Sequence, residues 1–307
     1  MALHYSSILS YMISSILIMW SNKQILSIYN FPSIFALMVL QSIITISFLL
    51  IMNIFKKIEL QLLSFKQLKR HVPLLTLTIL NIFCGLLGSK LMSAAMFTAL
   101  RRISILMCMY AQQYYLKQQL SSIAICSVWC TVAGALFASS NDLNFDLTAY
   151  CIVFINNILT AGQQVLTQVS MAQKLEKTTL VLYNSICILF VGIIVIYVKE
   201  NELKKIIFFD LWTHTEFIIL MICSCFMGLA INYSVIWCIE QNGPLTLAIS
   251  GSLKNIVVGL LSCARLFDTD YLFTWPNFLG LQFAAIASLV YVWSKTIEIK
   301  KQRQGVY

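Results

Sequence analysis

From Val72 to Leu116 the chain is mostly apolar, a stretch about twice as long as one helical crossing of a bilayer needs at ~20 residues. A run of that length must break, and the clustering of Gly88, Lys90 and Ser93 marks the place. Apolar runs of about twenty residues, split by short polar loops, recur along the whole sequence. Barrel strands would instead alternate apolar and polar side chains. Soluble domains carry about a quarter charged residues; this chain of 307 residues has 11% charged and 59% hydrophobic, with a mean hydropathy of +0.82. The expectation is an all-α membrane protein, one transmembrane domain over residues 1–307.

About ten transmembrane helices are predicted. The first covers about 4–22, and the second follows the Phe31-Pro32 break and ends near Phe55. The others lie at about 73–90, 93–116, 121–139, 147–169, 178–198, 215–239, from Pro244 onward, and at about 272–293. Pro244 suits a first helical turn, where its missing donor costs nothing. No charged region precedes the first run and no small-residue cleavage site follows it, so it reads as a retained helix. An even number of spans puts both termini on one side. If that side is cytosolic it holds the basic loop Lys56 to Arg70, Lys117, Lys174, Lys177 and the basic tail 295–307. The other side holds Lys23, Lys199, Lys204, Lys205 and Arg265. The bias favours cytosolic termini.

Leu100-Arg101-Arg102-Ile103 is echoed half a chain later by Leu253-Lys254-Asn255-Ile256. The fifth and tenth spans fall at the same offset. Two halves of five helices each, about 1–140 and 147–295, enter the membrane from opposite sides. That is the inverted-repeat plan of many secondary transporters, whose substrate sits near the midplane between the repeats.

These echoed motifs put cations where lipid should be. In a continuous fourth span Arg101 lies about 12 Å in from Ser93, and Lys254 lies about 15 Å past Pro244, at 1.5 Å per residue. Both depths are near the middle of a ~30 Å core, where a cation costs about 2.5–3.5 kcal/mol. Every Asp and Glu falls in a loop or near a helix end, so a mobile anion is the expected counter-ion. Arg offers a planar fork for phosphate and Lys a point charge, so a diphosphate would satisfy Arg101 and Lys254 together. Arg102 points about 100° away round the helix and stands as a further candidate for substrate binding, with an interface role as the alternative.

Other polar residues add a second layer. Asn157, Thr160, Gln164 and Gln168 share one face of the sixth span, fit equally for interhelical hydrogen bonds or ligand contact. Tyr183 and Asn184 on the seventh span combine an aromatic face with an amide that donates and accepts, suited to stacking on and reading a base. Asn232 and Tyr233 form a weaker pair of the same kind. Gly251 and Ser250, about a turn before Lys254, let a ligand or a neighbouring helix approach closely.

The net charge of +9 comes from loops and buried cations, and no nucleic-acid motif accompanies it. The ten cysteines are scattered and read as small buried hydrophobes. No metal site or cofactor is indicated. Asp268 and Asp270 have D-x-D spacing but no supporting acid, so a membrane glycosyltransferase is disfavoured and the chain is read as no enzyme. A silent scaffold would have little reason to hold charge in lipid. Small-residue faces allow pairing into a homodimer.

The motifs resemble those of nucleotide-sugar transporters of solute carrier family 35, in the drug/metabolite transporter superfamily. The likeness is greatest to the subfamily for UDP-glucuronic acid and UDP-N-acetylhexosamines. It rests on Phe97-Thr-Ala-Leu-Arg-Arg-Ile-Ser, the loop Ser140 to Asp146 with Ala149-Tyr150 and Phe154-Ile-Asn-Asn, Leu182-Tyr183-Asn184, and Gly251-Ser-Leu-Lys-Asn. The resemblance implies ten helices in the Golgi or endoplasmic reticulum membrane. It implies exchange of a cytosolic nucleotide sugar for a lumenal nucleoside monophosphate. It assigns nucleotide contacts to Tyr183 and Asn184, phosphate and sugar contacts to Gly251, Lys254 and Asn255, and a phosphate contact to Arg101. The sequence departs from the family in having Arg-Arg for the usual Arg-Lys. A second Asn after Asn184 is missing, and Lys254-Asn255 reverses the order found in GDP-mannose carriers. The last two favour a UDP-sugar with UMP as exchange partner over a GDP-sugar. A sugar-phosphate antiporter is the other alternative. No terminal dilysine signal is seen, which favours the Golgi.

Overall fold

The computed structural model describes residues 2–61, 65–92, 96–97, 100–138, 147–198, 200–263 and 275–303. Among these residues the secondary structure is helical throughout. The helices are α1 (Ala2–Lys23), α2 (Ile34–Ile54), α3 (Phe65–Leu91), α4 (Ile103–Tyr115), α5 (Ser122–Ala138), α6 (Leu147–Ala172), α7 (Lys177–Val198), α8 (Thr215–Asn242), α9 (Pro244–Cys263) and α10 (Trp275–Arg303). A π-helical segment, Gln24–Ile28, continues α1, and a short helix, Glu200–Ile207, leads into a 3-10 turn, Asp210–Thr213. Six of the described helices are long and apolar enough to cross a membrane: Leu3–Ile28, Ile34–Ile54, His71–Leu91, Leu147–Ala172, Lys177–Val198 and Thr215–Asn242.

Local chemistry sets several boundaries. Ser33 caps α2 by accepting from Ala36 N at 3.4 Å, the usual use of a serine at a helix start. Pro244 opens α9, and Gly243 before it takes φ +86°, a conformation cheap only for glycine.

Three expectations need correction. The third helix does not begin near residue 73; it starts at Phe65 and carries Pro73 inside it. Its first turns are anchored by buried His71, whose Nδ1 lies 3.1 Å from Ser170 Oγ on α6. The tenth helix continues past residue 293 to Arg303 and takes up much of the basic tail. The fourth span is not one helix over 93–116: Arg101 and Arg102 form a turn, and α4 starts after them. Arg101 itself still closes a helical turn on its N-terminal side, its N donating to Phe97 O at 3.0 Å. The expected loop Ser140 to Asp146, and Arg265, Asp268 and Asp270, lie outside the described residues.

The chain divides into two compact units, and each draws on both sequence halves. Unit 1 holds residues 1–82 and 167–241. In it α2 packs along α7, closely enough that a Cβ on Gly192 would lie 2.5 Å from Val39 Cγ2. One end of this unit is filled by Ile25, Phe31, Leu37, Phe217 and Met221, with Phe209 and Trp212 set edge-on to Phe31. Lys177 Nζ meets Glu240 Oε2 at 2.7 Å, joining the start of α7 to the end of α8.

Unit 2 holds residues 83–166 and 242–307. Here α5 packs along α10. A Cβ on Gly134 would lie 2.9 Å from both Gly280 O and Ala284 N, a close backbone approach that only a missing side chain permits. The core of this unit is Ile105, Met109, Val128, Leu245, Ile249 and Tyr291.

Candidate functional site

The break before α4 organises unit 2. Ser104 sends two hydrogen bonds to one carbonyl: its N donates to Arg101 O at 3.1 Å and its Oγ donates to the same oxygen at 2.6 Å. A serine that bonds back along the chain competes with the helix ladder and bends it. Ile105 N likewise reaches only three residues back, to Arg102 O at 3.0 Å. The tightened turn leaves the Leu100 carbonyl to Asn157 on α6, whose Nδ2 donates to it at 2.9 Å.

The two arginines of the turn go different ways. Arg102 is 7% exposed, and its Nη1 donates to Ser252 Oγ on α9 at 2.7 Å. Arg101 is exposed, with its guanidinium carbon 5.7 Å from the centre of the Phe97 ring, within cation–π range. Phe97 in turn rests on Gly88, where an added Cβ would lie 3.0 Å from the ring.

Helix α9 is brought to this turn by contacts along α4. Gln112 is 1% exposed and its Oε1 accepts from Leu245 N at 3.0 Å, satisfying one of the orphan donors at the start of α9. Ile105 and Met109 share a core with Leu245 and Ile249. Gln112 meets residue 245 and Arg102 meets residue 252, so the two helices run antiparallel. Two residues on, half-buried Lys254 comes within electrostatic range of Arg101. Gly251 beside it is half-buried. The side chain of Asn255 lies outside the described residues.

The remaining predicted residues divide between the units. In unit 2, Asn157 is 1% exposed and serves the backbone at Leu100. Gln164 Oε1 accepts from Cys108 Sγ at 3.5 Å. In unit 1, Tyr183 and Asn184 are half-buried on α7, and Asn184 takes no partner among the described residues. Tyr233 is 38% exposed on α8, 6.5 Å from Trp237 between ring centres. Gln168 Oε1 and, next to the Tyr183-Asn184 pair, Ser185 Oγ are buried without a hydrogen-bond partner. A cleft of about 370 Å³ beside the break is lined by Leu100, Ile103, Tyr150, Val153 and Phe154 among others. Its apolar walls do not suit a phosphate.

Sequence reasoning gave no individual role to four residues that shape these units: Phe97, Ser104 and Ser252, which stand within the quoted motifs around the cations, and Gln41 in unit 1. Gln41 Nε2 donates to Asn22 Oδ1 at 2.9 Å and to Ser224 Oγ at 2.8 Å, and Ser224 Oγ donates to Asn22 Oδ1 at 2.8 Å. This closed ring ties α1, α2 and α8 together. Each span contributes a single polar residue to it, so no spacing pattern announces it.

Residues 3–292 match the Triose-phosphate Transporter family. The chain is 35% identical to the UDP-sugar transporter UST74c of Drosophila melanogaster, over 94% of this chain and 76% of that one. It is 33% identical to the human nucleotide sugar transporter SLC35D2, over 93% of this chain and 84% of that one. A solved crystal structure shares the fold with a TM-score of 0.63 at 10% identity, over 96% of this chain and 99% of the other. With that coverage and several helices able to cross a bilayer, the chain is a membrane protein that belongs to the Triose-phosphate Transporter family.

Proposed function

We propose that this protein is a nucleotide-sugar antiporter that imports a UDP-sugar into the Golgi or endoplasmic reticulum lumen in exchange for UMP. The observation that carries the reading is that α4 and α9, tied by Gln112 to Leu245 and by Arg102 to Ser252, bring Arg101 and Lys254 within electrostatic range of each other. Like charges at this range repel each other. A diphosphate or phosphate bound between Arg101 and Lys254 turns that repulsion into attraction, with the Arg fork and Lys point charge each taking oxygens. Tyr183 and Asn184, with Tyr233, read the base. Gly251 and Asn255 line the approach to the phosphates and sugar.

Ten spans in two inverted halves, with cytosolic termini, are part of this proposal. In its support, α2 packs on α7 and α5 on α10, so second pairs with second and fifth with fifth of the two halves. Alternating access then follows if the ligand binds the two conformations with different affinity. The relatives named for UDP-sugar and nucleotide-sugar transport support the cargo. The family description favours one second reading, a sugar-phosphate antiporter using the same two cations. Counterflow decides between them. Proteoliposomes preloaded with UMP, CMP, GMP or inorganic phosphate are offered labelled UDP-sugars, GDP-sugars and triose phosphate. UMP-driven uptake of a UDP-sugar is expected; uptake of triose phosphate alone rejects the proposal.

A further inference from the structure

We propose that Asn157 is a positioning residue that holds the break before α4 open and thereby sets where Arg101 stands relative to Lys254. The inference rests on the phosphate-binding reading above. Its ground is the hydrogen bonding of three carbonyls. In an unbroken helix Leu100 O would accept from Ser104 N–H, four residues on. Ser104 N and Oγ are both spent on Arg101 O, and Ile105 N is spent on Arg102 O. Leu100 is buried, and a buried carbonyl needs a donor. Asn157 Nδ2 supplies it at 2.9 Å.

Without that amide, the donor an unbroken α-helix supplies is Ser104 N–H, and using it closes the break. The segment therefore has two hydrogen-bonded arrangements, and Asn157 selects one. In the selected arrangement Arg102 is tied to Ser252 while Arg101 is exposed and close enough to Lys254 to interact with it. In the other, residues 101 and 102 rejoin the helix and Arg101 turns away from that face.

Asn157 borders the apolar cleft beside the break, but its amide is spent on the backbone at Leu100. It is 1% exposed, and its Oδ1 is enclosed with no hydrogen-bond partner. An acceptor left unsatisfied in the interior is a standing cost. The NH2 end is the part of this side chain that the interior uses.

The test uses the full-length protein in detergent, with UMP and uridine as probes. Asn157→Leu is expected to weaken UMP binding at least tenfold and to leave uridine, which lacks the phosphate, within twofold. In an Arg101→Ala background the same change is expected to cost less than a further twofold. A ligand-free arm labels Arg101→Cys with a charged thiol reagent, and adding Asn157→Leu is expected to slow labelling at least threefold. Unchanged UMP affinity, equal losses for UMP and uridine, or additivity with Arg101→Ala overturns the proposal. If Asn157→Leu does not fold, Ser104→Ala replaces it. That change removes one of the two bonds that hold Arg101 O and is expected to lower UMP affinity at least threefold, and no change overturns the proposal. If the wild type binds neither probe, the transport reading fails and the labelling arm alone decides: an unchanged rate overturns the role of Asn157.

Discussion

Arg102 Nη1 and Ser252 Oγ lie 2.7 Å apart across α4 and α9, and both residues are buried. The cation is matched with a neutral hydroxyl. That arrangement makes removal of the hydroxyl costly, because a buried donor left without an acceptor bears its full desolvation penalty.

Ser252→Ala is therefore expected to destabilise the protein by about 1–3 kcal/mol, read as a lower unfolding temperature in detergent. Arg102→Met, which removes the charge and keeps an apolar stem, is expected to recover most of that loss in the Ser252→Ala background, since apolar replacement of buried ionic groups is often neutral. A double variant less stable than Ser252→Ala alone rejects this account.

Arg101→Ala and Lys254→Ala are each expected to abolish counterflow of UDP-sugar while the protein stays folded and monodisperse. Arg101→Lys keeps the charge but loses the bidentate fork, so it is expected to retain weak exchange. Near wild-type exchange in both alanine variants is the outcome that removes these cations from the site.

Gly88 has no room for a larger side chain. A Cβ there would lie 2.9 Å from Val153 Cγ2 and 3.0 Å from the Phe97 ring. Gly88→Ala is expected to cost about 1–3 kcal/mol through overpacking. It also pushes on the ring under the Arg101 guanidinium, so UMP affinity is expected to fall along with stability. A stability loss with unchanged UMP affinity separates Phe97 from the site.

The ring of Asn22, Gln41 and Ser224 makes a different prediction. Gln41→Leu breaks two hydrogen bonds between membrane-embedded helices, where each is worth about 0.6–2 kcal/mol. A drop in unfolding temperature is expected, measured against Ile43→Leu, an exposed position on the same helix, as a control. An equal response in both variants denies the ring any special weight.

On α7, Tyr183→Ala and Asn184→Ala are expected to change the order of preference among UMP, CMP and GMP in counterflow. A uniform loss across all three nucleotides denies the pair a role in reading the base.

The fourth span shows where sequence reasoning stops. The apolar run and its two cations were legible, because charge in a continuous apolar stretch is conspicuous. The break was not, because it arises from Ser104 competing for Arg101 O and from an amide 57 residues further on. Asn157 belongs to the polar face it shares with Thr160, Gln164 and Gln168, yet nothing in its spacing distinguishes a backbone partner from a ligand contact. Arg102 was set apart from Arg101 by helical angle, and its serine partner was visible only in the packed structure.

A helical, bilayer-crossing chain with cations in two echoed motifs is legible from residue order, because hydropathy and charge act residue by residue. Only packing brings Arg101 and Lys254 within electrostatic range, spends Arg102 on Ser252, and mixes helices from both halves in each compact unit. Those outcomes depend on contacts between residues far apart in the chain, and the hydrogen bonds that fix them form only after the helices have packed.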